Sequence, residues 1–391
     1  MLPILLALLS APGGASFMLF PLENGAGQSL AWVGEAVALS VGEQMRIPGV
    51  DVIGRDERLE CLRRADLPSG LQLSNASMIR VGQIAEVDYI VTGRYSGTED
   101  RLDIKLQFID LKTMRKGGAI SATGPLSMLP QMENTLAYDV ITNSGLNKAL
   151  ARDRFRERTR KIPNNAYAQF VESLQVPNEE DQVLAVKRAV TLYPNFPDAL
   201  FRLGRYYYEA GNCESAIRYL EAARRQGGYL EGQFMLGVCY IRKDAFAEAV
   251  SAYSALAAAS PSVAVLNNLG VAEVRQGDYA LAVQHLLEAD RLSRSDPDVA
   301  LNLAILRYLQ GNMEAAESIL ERIVAGHPYR PLVLYLLSRV LDARGQAEKS
   351  AAVLAESKRI GAETEKLQTE DPRRWCRIFD AWDQRPRSSD F

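Results

Sequence analysis

The pair Leu203-Gly204 returns as Leu236-Gly237, Leu269-Gly270, Leu303-Ala304 and Leu337-Ser338, at steps of 33, 33, 34 and 34 residues. A fixed step of about 34 residues that holds two apolar-periodic stretches defines a helical solenoid, whose units bury an apolar face only against their neighbours. Other positions keep the same beat. The small residue opening each second helix is Ala216, Ala249, Ala282, Ala316 and Ser350. The turn inside each unit carries Gly211, Asp244, Gly277, Gly311 and Gly345, because a tight helix-to-helix turn needs a residue that tolerates positive φ. Pro194, Pro261, Pro297 and Pro328 follow the second helices, where a missing amide and a fixed φ stop one helix before the next begins.

These positions, with the aromatics Tyr207 and Tyr240, resemble the tetratricopeptide repeat over residues 163–360. The resemblance implies an all-α right-handed solenoid of one degenerate and five good repeats. In the degenerate unit, Val183, Val186 and Ala189 precede Pro194 as expected, but the first helix breaks at Pro177-Asn178 and lacks the Leu-Gly pair. Within 361–391, Pro372 is followed by Trp375, Ile378, Phe379 and Trp382 at helical spacing, which predicts a capping helix over the last open repeat face.

Before the repeats the period is lost and strand-like runs alternate with helices. Phe17 to Leu22 reads as a buried strand, and Val33, Ala36, Val37 and Val41 mark one helical face on which Ser40 is the only polar residue. Asp51 to Ile53 predicts a strand, 56–65 a helix, and Ala76, Ile79 and Val81 to Ala85 another helix. Tyr89 to Tyr95 and Arg101 to Leu111 form a hairpin around Gly97-Thr98-Glu99-Asp100, because Leu102, Ile104, Leu106 and Phe108 alternate with polar residues. A strand near 118–123 and a helix over 127–145 complete an α/β layer.

Three stretches of this layer resemble the TolB-type N-terminal domain, related in fold to the CsgG and FlgO proteins. They are Phe17-Met-Leu-Phe-Pro-Leu-Glu-Asn, Val87-Asp-Tyr-Ile-Val-Thr-Gly93, and Arg101-Leu102 through Phe108-Ile109-Asp110. The resemblance implies a non-catalytic docking module of bacterial envelope proteins over 16–150; the β-propeller of full TolB is absent. Residues 152–161 carry six basic and two acidic side chains, so 151–162 reads as a basic linker, a solvated helix or else a patch for an acidic partner or lipid headgroup.

The ends and the charge balance bear on location and partner. Residues 1–15 are an apolar run closed by Gly13 and Ala15, a short secretory signal that lacks a preceding Lys or Arg. That run is too short to span a bilayer. Export would place the chain in a periplasm or beyond with a start near Ser16; the alternative is a cytoplasmic regulatory adaptor, starting at Met1, with 1–15 inside the folded layer. A net charge of -3 over 391 residues argues against nucleic acid as the partner.

No constellation for catalysis, cofactor or metal emerges. Gly25-Ala26-Gly27 lacks the third glycine of a dinucleotide loop. His285 and His327 have no nucleophile signature nearby, and Cys61, Cys213, Cys239 and Cys376 lack metal spacing and read as buried thiols. Binding is the remaining function class.

The repeat resemblance implies a groove lined by the first helices, with the residue before each Leu facing it. That residue is Met235, Asn268 and Asn302 in three successive units. An Asn amide donates to and accepts from an extended backbone, so Asn268 and Asn302 in register hold a peptide regardless of its sequence; the plain alternative is a solvated amide. One residue past the Gly position lie Arg205, Val238, Val271, Ile305 and Arg339, and Tyr208, Tyr308 and Tyr335 add aromatic surface. Phe201, Phe234 and Asp298 occupy the lysine positions of carboxylate-clamp repeats, which disfavours capture of chaperone tails. The expected ligand is a partly hydrophobic peptide or partner helix, with a second protein partner for 16–150.

Overall fold

The computed structural model describes residues 14–68, 72–146, 151–227, 229–293, 296–327, 330–361 and 364–382. Most of the predicted signal, Pro328 and the last nine residues lie outside them. The chain divides into two units at Phe196/Pro197.

In the first unit, apolar β-prone runs build one mixed sheet. Strands β1 (Ala15–Leu19) and β2 (Glu23–Ala26) precede helix α1 (Val33–Met45), then come β3 (Val50–Ile53), α2 (Arg55–Arg64) and α3 (Asn75–Ile84). The hairpin β4 (Tyr89–Gly97) and β5 (Leu102–Asp110) is followed by β6 (Arg115–Lys116), β7 (Ile120–Gly124) and α4 (Leu129–Asn143). The path β3-β1-β4-β5-β6 is parallel up to β4 and antiparallel beyond, with β2 on β4 and β7 on β5. Strand β1 lies inside this sheet, which is why Phe17 and Met18 are wholly buried on opposite faces. The hairpin register pairs Gly97 with Leu102, so Leu102, Ile104, Leu106 and Phe108 all point into the core as their alternation predicts.

Gly25-Ala26 belongs to strand β2, paired with β4. Other expectations need correction. Residues 152–161 are mostly exposed, as a solvated helix would be, but they are anchored: α5 (Arg152–Arg156) buries Phe155, and Arg158 donates to the carbonyls of Gln44 (3.0 Å) and Arg46 (2.8 Å) at the end of α1. Cationic donors at a helix C-terminus satisfy orphan carbonyls and meet the negative end of the dipole. Arg160 reaches Glu133 at 3.1 Å, and both side chains are buried. The Ser40 hydroxyl, the polar exception on α1, donates to the same carboxylate at 2.6 Å. A second buried pair joins Glu35 to Arg58 at 2.5 Å. The degenerate repeat forms α6 (Asn164–Ser173) and α7 (Glu179–Leu192); Pro177-Asn178 does not break its first helix but begins the second, where the Asn178 side chain caps the Glu180 amide at 2.8 Å.

The second unit holds five helix pairs. They are α8 (Pro197–Glu209) with α9 (Cys213–Gln226), α10 (Leu230–Arg242) with α11 (Phe246–Ala259), and α12 (Val263–Gln276) with α13 (Tyr279–Leu292). Next come α14 (Pro297–Leu309) with α15 (Met313–Gly326), and α16 (Pro331–Ala343) with α17 (Ala347–Ile360). The five turns have positive φ, from 58° at Asp244 to 97° at Gly277. Each glycine of the Leu-Gly pair lies against the residue sixteen further on in its second helix; a Cβ on Gly237 would come within 2.4 Å of the Tyr253 ring. Gly237→Ala is therefore expected to destabilise by about 1–3 kcal/mol through overpacking. Urea unfolding should show it as a lower midpoint at unchanged slope; an unchanged midpoint would contradict the close approach.

The expected capping helix over 372–382 is absent. A single turn, α18 (Thr364–Leu367), packs on α16 and α17, and only 372–375 forms a 3₁₀ turn. Residues 376–379 are neither helical nor in a sheet. Helical spacing of Trp375, Ile378, Phe379 and Trp382 misleads because Pro372 and the pull of outside hydrogen-bond partners override a weak local preference.

Candidate functional site

Residues 371–382 form a strap across the first helices of the second unit. Its aromatic anchor is Trp375, buried edge-on to Tyr335 (5.6 Å between centroids) and stacked on Tyr308 (6.3 Å). Such ring pairs add about 0.5–1.5 kcal/mol beyond area burial. Phe379 is the second anchor, set among Phe234, Val238, Tyr253 and Leu269.

Between the anchors the backbone is held by side-chain amides. Asn302 Nδ2 donates to the Arg377 carbonyl (2.8 Å), and its Oδ1 accepts the Arg377 N–H (2.7 Å). Asn268 repeats the pattern one unit earlier on Phe379, at 2.8 Å in both directions. Each amide thus takes the donor and acceptor of one residue, as a neighbouring β-strand would. Asn267 donates to the Arg377 carbonyl (3.0 Å) and to Asn268 Oδ1 (3.2 Å), and accepts from Asn302 at 2.8 Å. The remaining donor of Asn268 goes to the Tyr253 hydroxyl at 2.9 Å. All three asparagines have no exposed surface, so this network meets the demand that buried amides be paired.

The other contacts also favour main chain. Arg275 donates to the Arg374 carbonyl at 3.2 Å, and the Tyr208 hydroxyl donates to that of Asp380. Side-chain charge enters at two exposed pairs, Arg374 with Asp244 (2.7 Å) and Asp380 with Arg242 (2.8 Å). Exposed pairs of this kind contribute about 0–1 kcal/mol and fix register more than stability. Burial pushes the Cys376 thiol up to about 12, and it raises the Tyr208 and Tyr253 hydroxyls and lowers the Arg275 guanidinium. The Cys376 thiol is therefore protonated and inert as a nucleophile at neutral pH.

Of the residues singled out in the sequence, Tyr208, Asn268, Asn302, Tyr308 and Tyr335 meet on the strap. Neither Asn268 nor Asn302 is solvated. Arg205 is half-exposed and bonds Glu209 at 2.9 Å, while exposed Arg339 bonds Tyr308. At the carboxylate-clamp positions, Phe201 stacks on Tyr229, Phe234 packs on Tyr253, and Asp298 pairs with Arg330. Sequence reasoning missed Asn267, Arg275, Arg242, Asp244 and Tyr253. One signal was available: Asp244 is the one non-glycine turn, and its carboxylate reaches the strap.

The four cysteines are free and buried. His285 lies 2.8 Å from Glu273, with no nucleophile in that pair. Among the described residues, no group of three or more His, Cys, Asp and Glu side chains is arranged to hold a metal ion, and no helix is long and apolar enough to cross a membrane.

Models of the tetratricopeptide repeat match residues 185–229, 201–264, 240–297 and 273–332. The helix pairs they cover are tetratricopeptide repeats. No curated protein matches the sequence. Similar solved structures include YrrB, described as a TPR protein with an unusual peptide-binding site, at 16% identity and TM-score 0.41, covering 48% of this chain and 100% of that one. MamA MSR-1 is 18% identical with TM-score 0.38, covering 44% and 98%. The MamA RS-1 double mutant is 15% identical with TM-score 0.40, covering 45% and 97%.

Proposed function

Taking those helix pairs as tetratricopeptide repeats, we propose that the chain is a non-catalytic protein-interaction scaffold whose first-helix groove binds an extended peptide by its backbone. The observation that carries this reading is the paired Asn amide: Asn268 and Asn302 each take the N–H and C=O of one residue of an extended segment. Backbone recognition is tolerant of sequence, and aromatic pockets at its ends supply selectivity. The first unit, with its resemblance to TolB-type domains, docks to a component of the bacterial envelope, and the apolar run at 1–15 exports the chain so that it starts near Ser16.

Selection of displayed random peptides tests the groove. The bait is the full chain carrying Trp375→Ala, which weakens the strap, compared with the same chain carrying Asn268→Ala and Asn302→Ala in addition. Enrichment of aromatic peptides on the first bait and its loss on the second is the expected result. Equal enrichment on both would overturn the amide grip.

A further inference from the structure

The strap is a member of this chain in the place of a ligand. Its seat is imperfect: the indole N–H groups of Trp375 and Trp382, and Nε of Arg275, are buried with no hydrogen-bond partner among the described residues. Unmet donors of this kind weaken a contact that is otherwise well made, because each has given up water without replacement. The grip falls mostly on main-chain atoms, which any extended segment offers. What is particular to the strap is its pattern: Trp375 between Tyr308 and Tyr335, Phe379 four residues later among Phe234 and Tyr253, and Asp380 on Arg242.

We infer that residues 371–382 are an intramolecular pseudo-ligand, and that the groove's partner is an extended peptide with an aromatic residue, a second aromatic four positions on and an acid directly after it, which binds by displacing the strap. This rests on the peptide-groove reading above and names its ligand class. Displacement follows from geometry, since both N–H donors of Asn268 and of Asn302 are engaged, as are both acceptor directions of Asn268, so neither amide can donate to a second backbone while Arg377 and Phe379 are in place. Tethering sets the threshold. A segment tethered close to its own groove competes at an effective concentration on the order of millimolar. A free peptide with the same contacts therefore sees a groove that is open only a small fraction of the time, and its apparent affinity falls by that fraction.

A labelled synthetic peptide of residues 371–382, followed by fluorescence anisotropy against the full chain, tests this. The comparison is wild type against Trp375→Ala/Phe379→Ala, whose strap has lost both anchors. The expected dissociation constant is at least tenfold lower for the variant, and a peptide with both aromatics replaced by alanine binds at least tenfold more weakly than the native one. Should that variant lose its far-UV helical signal, Arg377→Pro serves instead, since it removes the N–H bound by Asn302 while changing an exposed side chain. Equal affinity for wild type and a folded strap variant, or binding to neither, overturns the inference. A wild-type dimer that the peptide dissociates would place a second copy's strap in the groove and also overturn it. Adding Asn268→Ala/Asn302→Ala to the strap variant separates the two readings: undiminished binding there refutes the amide grip while leaving displacement intact.

Discussion

Arg160→Met should cost the first unit about 3–5 kcal/mol, the usual penalty for leaving a buried charge without its partner. Glu133 has no exposed surface, and its cation is supplied by Arg160 at 3.1 Å. Burial already holds the Glu133 carboxyl above the usual carboxylate range, with Arg160 and the Ser40 hydroxyl pulling the other way. Removing Arg160 deletes the largest opposing influence, so the carboxyl rises further and takes up a proton in the folded state. A folded pKa above the unfolded one gives stability that is complete below the unfolded pKa and is lost as pH rises through the folded one. The variant should therefore lose more stability at pH 8 than at pH 5. Urea unfolding at the two pH values checks the sign, and an equal loss at both would refute it. Arg160→Met with Glu133→Leu should recover part of the loss, because no charge is left buried alone, although the Ser40 hydroxyl loses its acceptor and the Ile162 carbonyl its donor.

Replacing Asn268 and Asn302 together by alanine should detach the strap. The substitution takes the asparagine partners from the Arg377 N–H and from the N–H and C=O of Phe379, leaving the Arg377 carbonyl with Asn267 alone, and an unmet buried group costs about 1–3 kcal/mol. Release to water is cheaper than burial unpaired. Two of the three tryptophans, Trp375 and Trp382, report on it: emission should move to longer wavelength while the far-UV helical signal persists. Amide exchange at Arg377 and Phe379 should rise at least a hundredfold. Unchanged emission and exchange would show that the aromatic anchors alone hold the segment. The variant also strips a donor from the Tyr253 hydroxyl, which keeps only the Phe234 carbonyl at 3.3 Å, so some loss of array stability accompanies the release.

Legibility in the sequence followed the range of the interaction. The Leu-Gly beat is local: a glycine on one helix and a bulky residue sixteen positions on must interlock, and repetition makes the constraint visible three times, with the small residues Ala304 and Ser338 continuing it. Strand alternation in Leu102 to Phe108 is equally local. The buried pairs Glu133–Arg160 and Glu35–Arg58 join residues 27 and 23 apart, and their charges in the sequence look like any solvated charges. The run at 152–161 therefore reads in the sequence as a linker, although Arg158 caps α1 and Arg160 neutralises Glu133.

The strap shows the same division most clearly. Sequence alone determined the helix pairs, their turns, and the placing of Asn268 and Asn302 before successive leucines, because period and glycine stereochemistry act within a few tens of residues. Only the tertiary structure decided what those amides hold. Phe379 meets Asn268 across 111 residues and Arg377 meets Asn302 across 75, and no local preference encodes a contact that exists only once five stacked units bring the groove together.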